Sequence, residues 1–220
     1  MLLGTTPLLF CLLLALVLAS YLLGALPIAL WVARRHGIED IRDHGSKNAG
    51  ATNVARVCGK QAGLTVLVLD VLKGALPVAL AKFVLPVWAM QNPELLGTWT
   101  PETLKALMPP LLAVIVVLGH AKSVFMNFQG GKSSATGMGT LLAMTPLWGA
   151  GIALVIYGVF RVTRMVSVAS LVGCMVAPLV FYFTHQPLPY LIYISFITLY
   201  VVLRHRANIQ RLLQGTENRL

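Results

Sequence analysis

The sequence predicts an all-α integral membrane protein of about seven transmembrane helices or half-helices, and three observations carry that prediction. The chain is 57% hydrophobic and only 11% charged. Its apolar runs repeatedly approach the roughly 20 residues that a helix needs to cross a bilayer. Its cations gather in a few short polar stretches between those runs. None of these stretches is long enough for a soluble domain, so residues 1–220 read as one membrane domain.

The predicted spans cover 8–32, 64–88, 107–118, 138–160, 166–184 and 188–203. The first is longer than a secretory signal and has little positive charge ahead of it, so it reads as a retained anchor helix. The second carries Asp70 and Lys73, three apart on one helical face; mutual neutralisation and a function inside the membrane are both open for that pair. Gly24-Ala25-Leu26-Pro27 in the first span echoes Gly74-Ala75-Leu76-Pro77 in the second. Small residues that let helices approach, with prolines that kink them, account for the echo without a duplicated fold. Cys11, Cys58 and Cys174 have neither paired nor metal-ligand spacing, so neither a disulfide frame nor a metal site is expected.

The net charge of +10 raises nucleic acid as a partner, but the positions of the cations argue against it. Arg34, Arg35, Arg42, Lys47, Arg56 and Lys60 share one loop. Lys122 and Lys132 share another, Arg161 and Arg164 a third, and Arg204, Arg206, Arg211 and Arg219 the tail. Loop 89–106 holds only Lys105, beside Glu94 and Glu102. This is the positive-inside asymmetry, with 34–60 cytoplasmic and 89–106 external. The N-terminus is then outside and the C-terminus cytoplasmic. Arg161 and Arg164 also belong inside, so 138–160 must cross outward and return. Pro146, Trp148, Gly149 and Gly151 mark the cheapest place for the break, which yields seven segments. Irregular backbone at membrane depth needs protein or a wet cavity around it.

Two polar, glycine-punctuated runs interrupt the apolar sequence. In 45–56, Ser46, Asn48, Thr52 and Asn53 supply neutral hydrogen-bonding groups, and Arg56 supplies a rigid fork of donors. In 130–137, Gly130 and Gly131 let backbone N–H groups converge and Lys132 adds a point charge. Such runs set against helices suit an anion, most plausibly phosphate. A solvated turn with a topology-setting lysine explains the second run equally well. A nucleotide P-loop does not, because Met126 stands where that motif needs glycine and no strand precedes it.

Catalytic side chains are sparse. His44, His120 and His205 lie at cytoplasmic ends of spans, where an interfacial hydrogen-bonder is commoner than a catalyst. The few acids allow no Ser-His-Asp constellation, and no His-x4-Asp pair occurs. His205 and Asn208 share a face if the last helix continues past the membrane. A basic helix end reaching for lipid phosphates is the plain alternative.

Taken together, these runs resemble a known family. Gly45-Ser46-x-Asn48-x-Gly50-Ala51-Thr52-Asn53-x-x-Arg56 is similar to the first of three cytoplasmic motifs of the bacterial acyl-phosphate:glycerol-3-phosphate acyltransferases. Gly119-His120, followed by Phe128-x-Gly130-Gly131-Lys132-x-x-Ala135-Thr136, resembles the second, and Arg204-His205-x-x-Asn208-Ile209-x-Arg211-Leu212 the third. Asp70-Val71-Leu72-Lys73-Gly74 matches a run in the family's second span, and the resemblance covers nearly the whole chain in order.

The resemblance implies a seven-helix enzyme of the bacterial inner (cytoplasmic) membrane with its site on the cytoplasmic side. It would move a fatty acyl group from acyl phosphate to the 1-hydroxyl of glycerol 3-phosphate, giving lysophosphatidic acid for phospholipid synthesis. It implies no metal and no cofactor. Its partners would be the two substrates, membrane lipids and an upstream acyl-phosphate-forming enzyme, with no nucleic acid. Carried over by position, Ser46, Lys132, His205 and Asn208 are implied as catalytic. Arg56, Asn48, Asn53, Gly130, Gly131, Ser167 and His120 are implied to bind substrate and its phosphate.

The chain also departs from that pattern. Lys47 stands where the family carries glycine, Ala121-Lys122-Ser123 replaces an aromatic-proline run, Gln129 replaces a lysine, and Ser133-Ser134 follows Lys132. A diverged acyltransferase with another donor therefore stays open, as does a catalytically silent scaffold. The rival of another class is an anion or organophosphate transporter, which needs polar groups reached from both faces. Here the candidate groups all fall in the loops assigned to the cytoplasm.

Overall fold

The computed structural model describes residues 6–220, and among the described residues the regular structure is helical. Helix α1 (Pro7–Ala25) opens on Thr6, whose hydroxyl accepts from the Leu9 amide at 3.2 Å, with proline at the first helical position. The predicted single span 8–32 is in fact two helices. Pro27 has no N–H to continue the ladder, and the chain restarts as α2 (Ile28–Arg34). A short α3 (Ala51–Cys58) ends at Gly59, whose φ of 95° turns the chain into α4 (Lys60–Ala79). Pro77 removes a ladder bond just before one widened π turn over Leu80–Val84, and α5 (Leu85–Gln91) follows.

Helix α6 (Pro101–Ala121) is capped by Thr100 and extends beyond the predicted 107–118 at both ends. The predicted break in 138–160 falls at Thr145-Pro146, between α7 (Ser134–Met144) and α8 (Pro146–Thr163). The halves are unequal, however. α7 has 11 residues, about half a bilayer core at 1.5 Å per residue, whereas α8 has 18 and is a full span. Helix α9 (Val166–Phe183) and α10 (Leu188–Arg204) match the last two predicted spans closely. The tail does not continue α10 straight: α11 (Arg206–Leu213) is bent from it by 59° with His205 at the break.

Among the described residues five helical stretches are long and apolar enough to cross a membrane, and the bent pair of α10 and α11, taken as one span, makes a sixth. Large apolar side chains such as Leu154, Met175 and Phe183 point outward, as expected for a surface solvated by lipid tails. The protein is a multi-pass membrane protein. Inside, Phe181, Tyr193, Ile152 and Met144 pack with Val117 into the main apolar core.

Close backbone approach fixes the bundle. A Cβ at Gly74 would strike the Thr136 carbonyl, and one at Gly139 would strike that of Val71, so α4 and α7 lie nearly backbone to backbone. Gly24 and Gly119 do the same for α1 and α6. The Gly-Ala-Leu-Pro echo thus marks two helix contacts, each followed by a proline disturbance. Between them Asp70 and Lys73 form a buried ion pair at 2.7 Å, with the His120 ring nitrogen 3.6 Å from the same carboxylate oxygen. Lys73 also donates to the Leu26 carbonyl at 3.2 Å, at the α1–α2 break.

The loops collect at two ends. At one, Tyr21 reaches the Lys122 carbonyl, Arg42 that of Met126, and the Leu220 amide that of Arg164. At the other, Thr6 reaches Leu95, Lys82 reaches Met144, and Tyr190 reaches Lys105. Every basic loop assigned to the cytoplasm lies at the first end.

Candidate active site

The first polar run is a loop stapled onto the start of α3. Asp40 caps the turn Ile41–Asp43 by accepting from the Arg42 amide at 2.8 Å, and its carboxylate also grips the Arg42 guanidinium. Asn53, fully buried, accepts from the Ser46 amide at 2.8 Å and donates to the carbonyls of Ile41 and His44 at 3.0 and 2.9 Å. Asn53 is among the residues that the resemblance implies as substrate-binding. Both of its N–H groups are engaged, and its work is to shape the loop that presents Ser46, Lys47 and Asn48.

The second run folds over the end of α6. A Cβ at Gly130 would strike the His120 carbonyl, and one at Gly131 would strike the His120 ring and approach the Ala49 carbonyl. Only glycine lets the two polar runs meet there. His120 is correspondingly not a cavity residue. Its ring, which the resemblance implies as a phosphate ligand, is buried between Asp70 and Gly131. Arg204, from the end of α10, donates from Nη2 to the carbonyls of Gly130 and Gly131, both at 3.1 Å, and so ties the third run to the second.

Below that junction five side chains from distant parts of the chain form one network. Lys132 Nζ donates to Asn208 Oδ1 at 2.5 Å, and Asn208 Nδ2 donates to Glu217 Oε1 at 2.7 Å. The Ser167 hydroxyl, at the start of α9, donates to the same oxygen at 2.7 Å. Arg211 Nε donates to Glu217 Oε2 at 2.8 Å. Arg56 joins from α3, with Nη2 on the Asn218 carbonyl at 3.4 Å and its Nε buried without a partner among the described residues. Lys132, Arg56 and Arg211 against one carboxylate leave two positive charges in excess.

The electrostatics follow from that crowding. Burial, followed by the Arg211 charge, lowers the Lys132 ammonium to about 8. Burial alone would raise the Glu217 carboxyl, but the hydrogen bonds from Asn208, Ser167 and Arg211 together outweigh it and hold that group below its ordinary value. His205 is buried at the α10–α11 break, and its Nδ1 lies 2.8 Å from the Val201 carbonyl. A carbonyl can only accept, so Nδ1 carries the hydrogen and a neutral ring keeps an open lone pair on Nε2.

The structure therefore brings Lys132, Asn208, Ser167 and Arg56 together and ties Gly130 and Gly131 to them through Arg204. Ser46 and Asn48 stand on the neighbouring loop, and Asn48 lines a polar cavity with Gly130 and Arg204. Sequence reasoning missed Glu217. It is the one acid in the otherwise basic tail, and a lone carboxylate among so many cations is the signal that pointed to it.

A helical membrane bundle with a cation-rich, hydrogen-bonding site at one end defines a membrane enzyme or carrier that handles an anion. The comparisons decide which. The profile of the glycerol-3-phosphate acyltransferase family matches residues 14–215. A glycerol-3-phosphate acyltransferase of Nostoc sp. is 42% identical over 210 residues, covering 94% of this chain and 91% of its own. Another from Crocosphaera subtropica is 39% identical over 206 residues, covering 93% and 92%. Among solved structures, the glycerol 3-phosphate form of PlsY (YgiH), an integral membrane glycerol 3-phosphate acyltransferase, superposes with a TM-score of 0.80 at 35% identity, covering 94% of this chain and 95% of that one. Its lysophosphatidic acid form gives 0.78 at 34% identity. The chain belongs to the glycerol-3-phosphate acyltransferase family of integral membrane enzymes.

Proposed function

We propose that this protein transfers a fatty acyl group from acyl phosphate to the 1-hydroxyl of glycerol 3-phosphate, releasing lysophosphatidic acid and phosphate. The observation that carries the reading is the Lys132–Asn208–Ser167 network around Glu217, which with Arg56 and Arg211 has two positive charges in excess and suits a phosphate dianion. It sits in a chain that matches this family over nearly its full length. Solved relatives at 34–35% identity hold glycerol 3-phosphate and lysophosphatidic acid in their two forms.

In this reading Lys132 and Arg56 grip the glycerol 3-phosphate phosphate, and Ser46, Ser167 and Asn208 orient its hydroxyls. The hydroxyl oxygen attacks the acyl carbonyl, the bond from that carbon to the phosphate oxygen breaks, and the hydroxyl proton leaves with the departing hydrogen phosphate. An acyl phosphate is already an activated mixed anhydride, so alignment and charge neutralisation supply much of the barrier reduction without a protein nucleophile. The His205 Nε2 lone pair is available to take the hydroxyl proton on its way to the phosphate.

The same reading places the protein in the bacterial inner membrane, with seven passes, an external N-terminus and the site facing the cytoplasm. The positive-inside distribution supports this, as does α7, which ends at Met144 beside Lys82, at the end of the bundle opposite the basic loops. Single cysteines at 47, 129, 163 and 215 in a cysteine-free background are expected to react with an impermeant maleimide only after cell disruption, and one at 98 in intact cells. External labelling at 163 would remove the return of α7 into α8. The donor is tested with purified protein, glycerol 3-phosphate and either palmitoyl phosphate or palmitoyl-CoA. Product is expected only from palmitoyl phosphate, and product only from the thioester would overturn the donor.

A further inference from the structure

We propose that Asp70, Lys73 and His120, a polar cluster buried inside the bundle, are positioning residues for Lys132. They hold the Gly130-Gly131 backbone where it sets the Lys132 ammonium against Asn208. The proposal rests on the acyl-transfer reading above, in which Lys132 grips the phosphate of glycerol 3-phosphate. It gives a function to an intramembrane ion pair that the reaction itself does not touch.

None of the three can meet substrate: Asp70, Lys73 and His120 expose 2%, 5% and 5% of their surfaces. Short steps nevertheless connect them to the site. Lys73 holds the Asp70 carboxylate at 2.7 Å, and His120 Nδ1 lies 3.6 Å from the same oxygen. That is longer than a hydrogen bond, but close enough for the carboxylate charge to orient the ring. Nδ1 has no hydrogen-bond partner among the described residues, so Asp70 is what this edge of the ring faces. The other ring nitrogen, Nε2, lies so close to Gly131 that a Cβ there would collide with it. The imidazole is thus a spacer between a buried carboxylate and the residue that precedes Lys132.

The chain on both sides of Lys132 is held in the same way. The Gly130 amide donates to the Ala121 carbonyl at 3.1 Å, and Arg204 holds the carbonyls of Gly130 and Gly131, so the two glycines are clamped between the end of α6 and Arg204. Past Lys132, Ser133 sits at a φ of 66° with its hydroxyl donating to the Val117 carbonyl at 3.1 Å. Gly74, next to Lys73, lies against the Thr136 backbone. Residues 70–74 of α4 therefore support the run before Lys132 through His120, and after it through Thr136.

Stability alone does not account for the ion pair. Desolvation offsets much of the attraction between two buried charges, and apolar side chains of similar volume commonly hold a core as well or better. Ionised groups inside a span are expensive and tend to serve function. What apolar side chains cannot supply is direction. The carboxylate fixes which edge of the imidazole faces it, and Lys73, which also donates to the Leu26 carbonyl at 3.2 Å, fixes the carboxylate. An ammonium displaced by about an ångström loses both its contact with Asn208 and its reach to a phosphate oxygen.

The test is a double-mutant cycle read by calorimetric binding of glycerol 3-phosphate to the protein in detergent, a measurement that needs no acyl donor. The proteins are the parent, Lys132→Ala, the apolar double variant Asp70→Val/Lys73→Met, and the triple variant. Lys132→Ala is expected to weaken binding about thirtyfold and the apolar double about tenfold. In the Lys132→Ala background the apolar pair should weaken it less than about twofold further, because no ammonium is left to position. The apolar double should unfold no earlier than the parent on heating. Parent-like affinity in the apolar double would overturn the positioning role. So would a full further tenfold loss, roughly, in the triple variant, since the cluster would then support the fold at large rather than Lys132. Should the apolar double not fold, His120→Gln takes its place in the cycle and is judged by the same outcomes: its amide reaches toward Gly131, presents no ring to Asp70, and leaves the ion pair intact. Parent-like binding by Lys132→Ala would take Lys132 out of the phosphate site and overturn that part of the acyl-transfer reading together with the proposal, whereas the other two adverse results leave the reading standing.

Discussion

Two cation-rich regions lie side by side at the same end of the bundle, and they are built on different plans. Around Lys132 most side chains are tied to one another: Lys132 to Asn208, Asn208 and Ser167 to one Glu217 oxygen, and Arg211 to the other. Around Lys47 and Lys122 the charges are loose, exposed and without partners of their own. The tied region presents directed hydrogen bonds, whose strength depends on shape. The loose region presents point charges, which act at a distance whatever the shape of the side chain. Tied donors lose little freedom when substrate arrives, which suits a group that must be aligned to a fraction of an ångström.

That contrast is broken or sharpened by conservative substitutions. The largest effect is expected from Lys132→Ala, which removes both a phosphate cation and the partner of Asn208. It should lower kcat/KM by about a hundredfold or more, read from initial rates. Asn208→Asp is nearly isosteric, but it trades the donor to Glu217 for a second carboxylate beside an anionic substrate. A loss of about fiftyfold, with a raised KM for glycerol 3-phosphate and unchanged yield of folded protein, is the expected outcome. Unaltered kinetics would show that the network is scaffolding. Arg56→Lys keeps the charge and loses the planar fork, and a drop of about thirtyfold separates recognition from topology. In the loose cavity Lys122→Arg should cost less than about threefold, and a loss comparable to that of Arg56→Lys would erase the distinction between the two regions.

The smallest effect is a pH shift. With Lys132 lowered to about 8 by burial and the Arg211 charge, its ammonium is lost as pH rises through that value, so kcat/KM should fall above about pH 8. The Glu217 charge raises Lys132 against those effects. Glu217→Gln removes it, and the falling limb should move to lower pH in the pH–rate profile. A limb that stays in place would mean that another group titrates there.

Much of the bundle was legible because a bilayer imposes length and composition on whatever crosses it. The break at Pro146 could be read from the clash between a 23-residue apolar run and two arginines that had to lie on the same side as the run's start. The Asp70–Lys73 pair could be read from helical spacing, because three residues apart on one helix is a contact whatever surrounds it. Asn53 and His120 both lie in motif-like polar runs and both are buried, Asn53 through hydrogen bonds to the Ile41 and His44 carbonyls and His120 against Asp70 and Gly131. No local pattern distinguishes that role from ligand binding.

The sequence by itself determined the solvent, the approximate spans, the sharing of one end by the basic loops, and the three polar runs. These depend on periodicity, length and composition, which are properties of contiguous residues. Only the tertiary structure decided that α7 is half a span and α8 a whole one. It also decided that α10 and α11 part at His205, that Glu217 closes the network around Lys132 and Ser167, and that Lys47 and Lys122 share a cavity. Ser167 and Glu217 are separated by 50 residues, and Lys132 and Asn208 by 76. Such contacts exist only because glycine-lined helices pack backbone to backbone and carry distant loops to one end. That arrangement is a sum over the whole bundle and leaves no signature in any single stretch of chain.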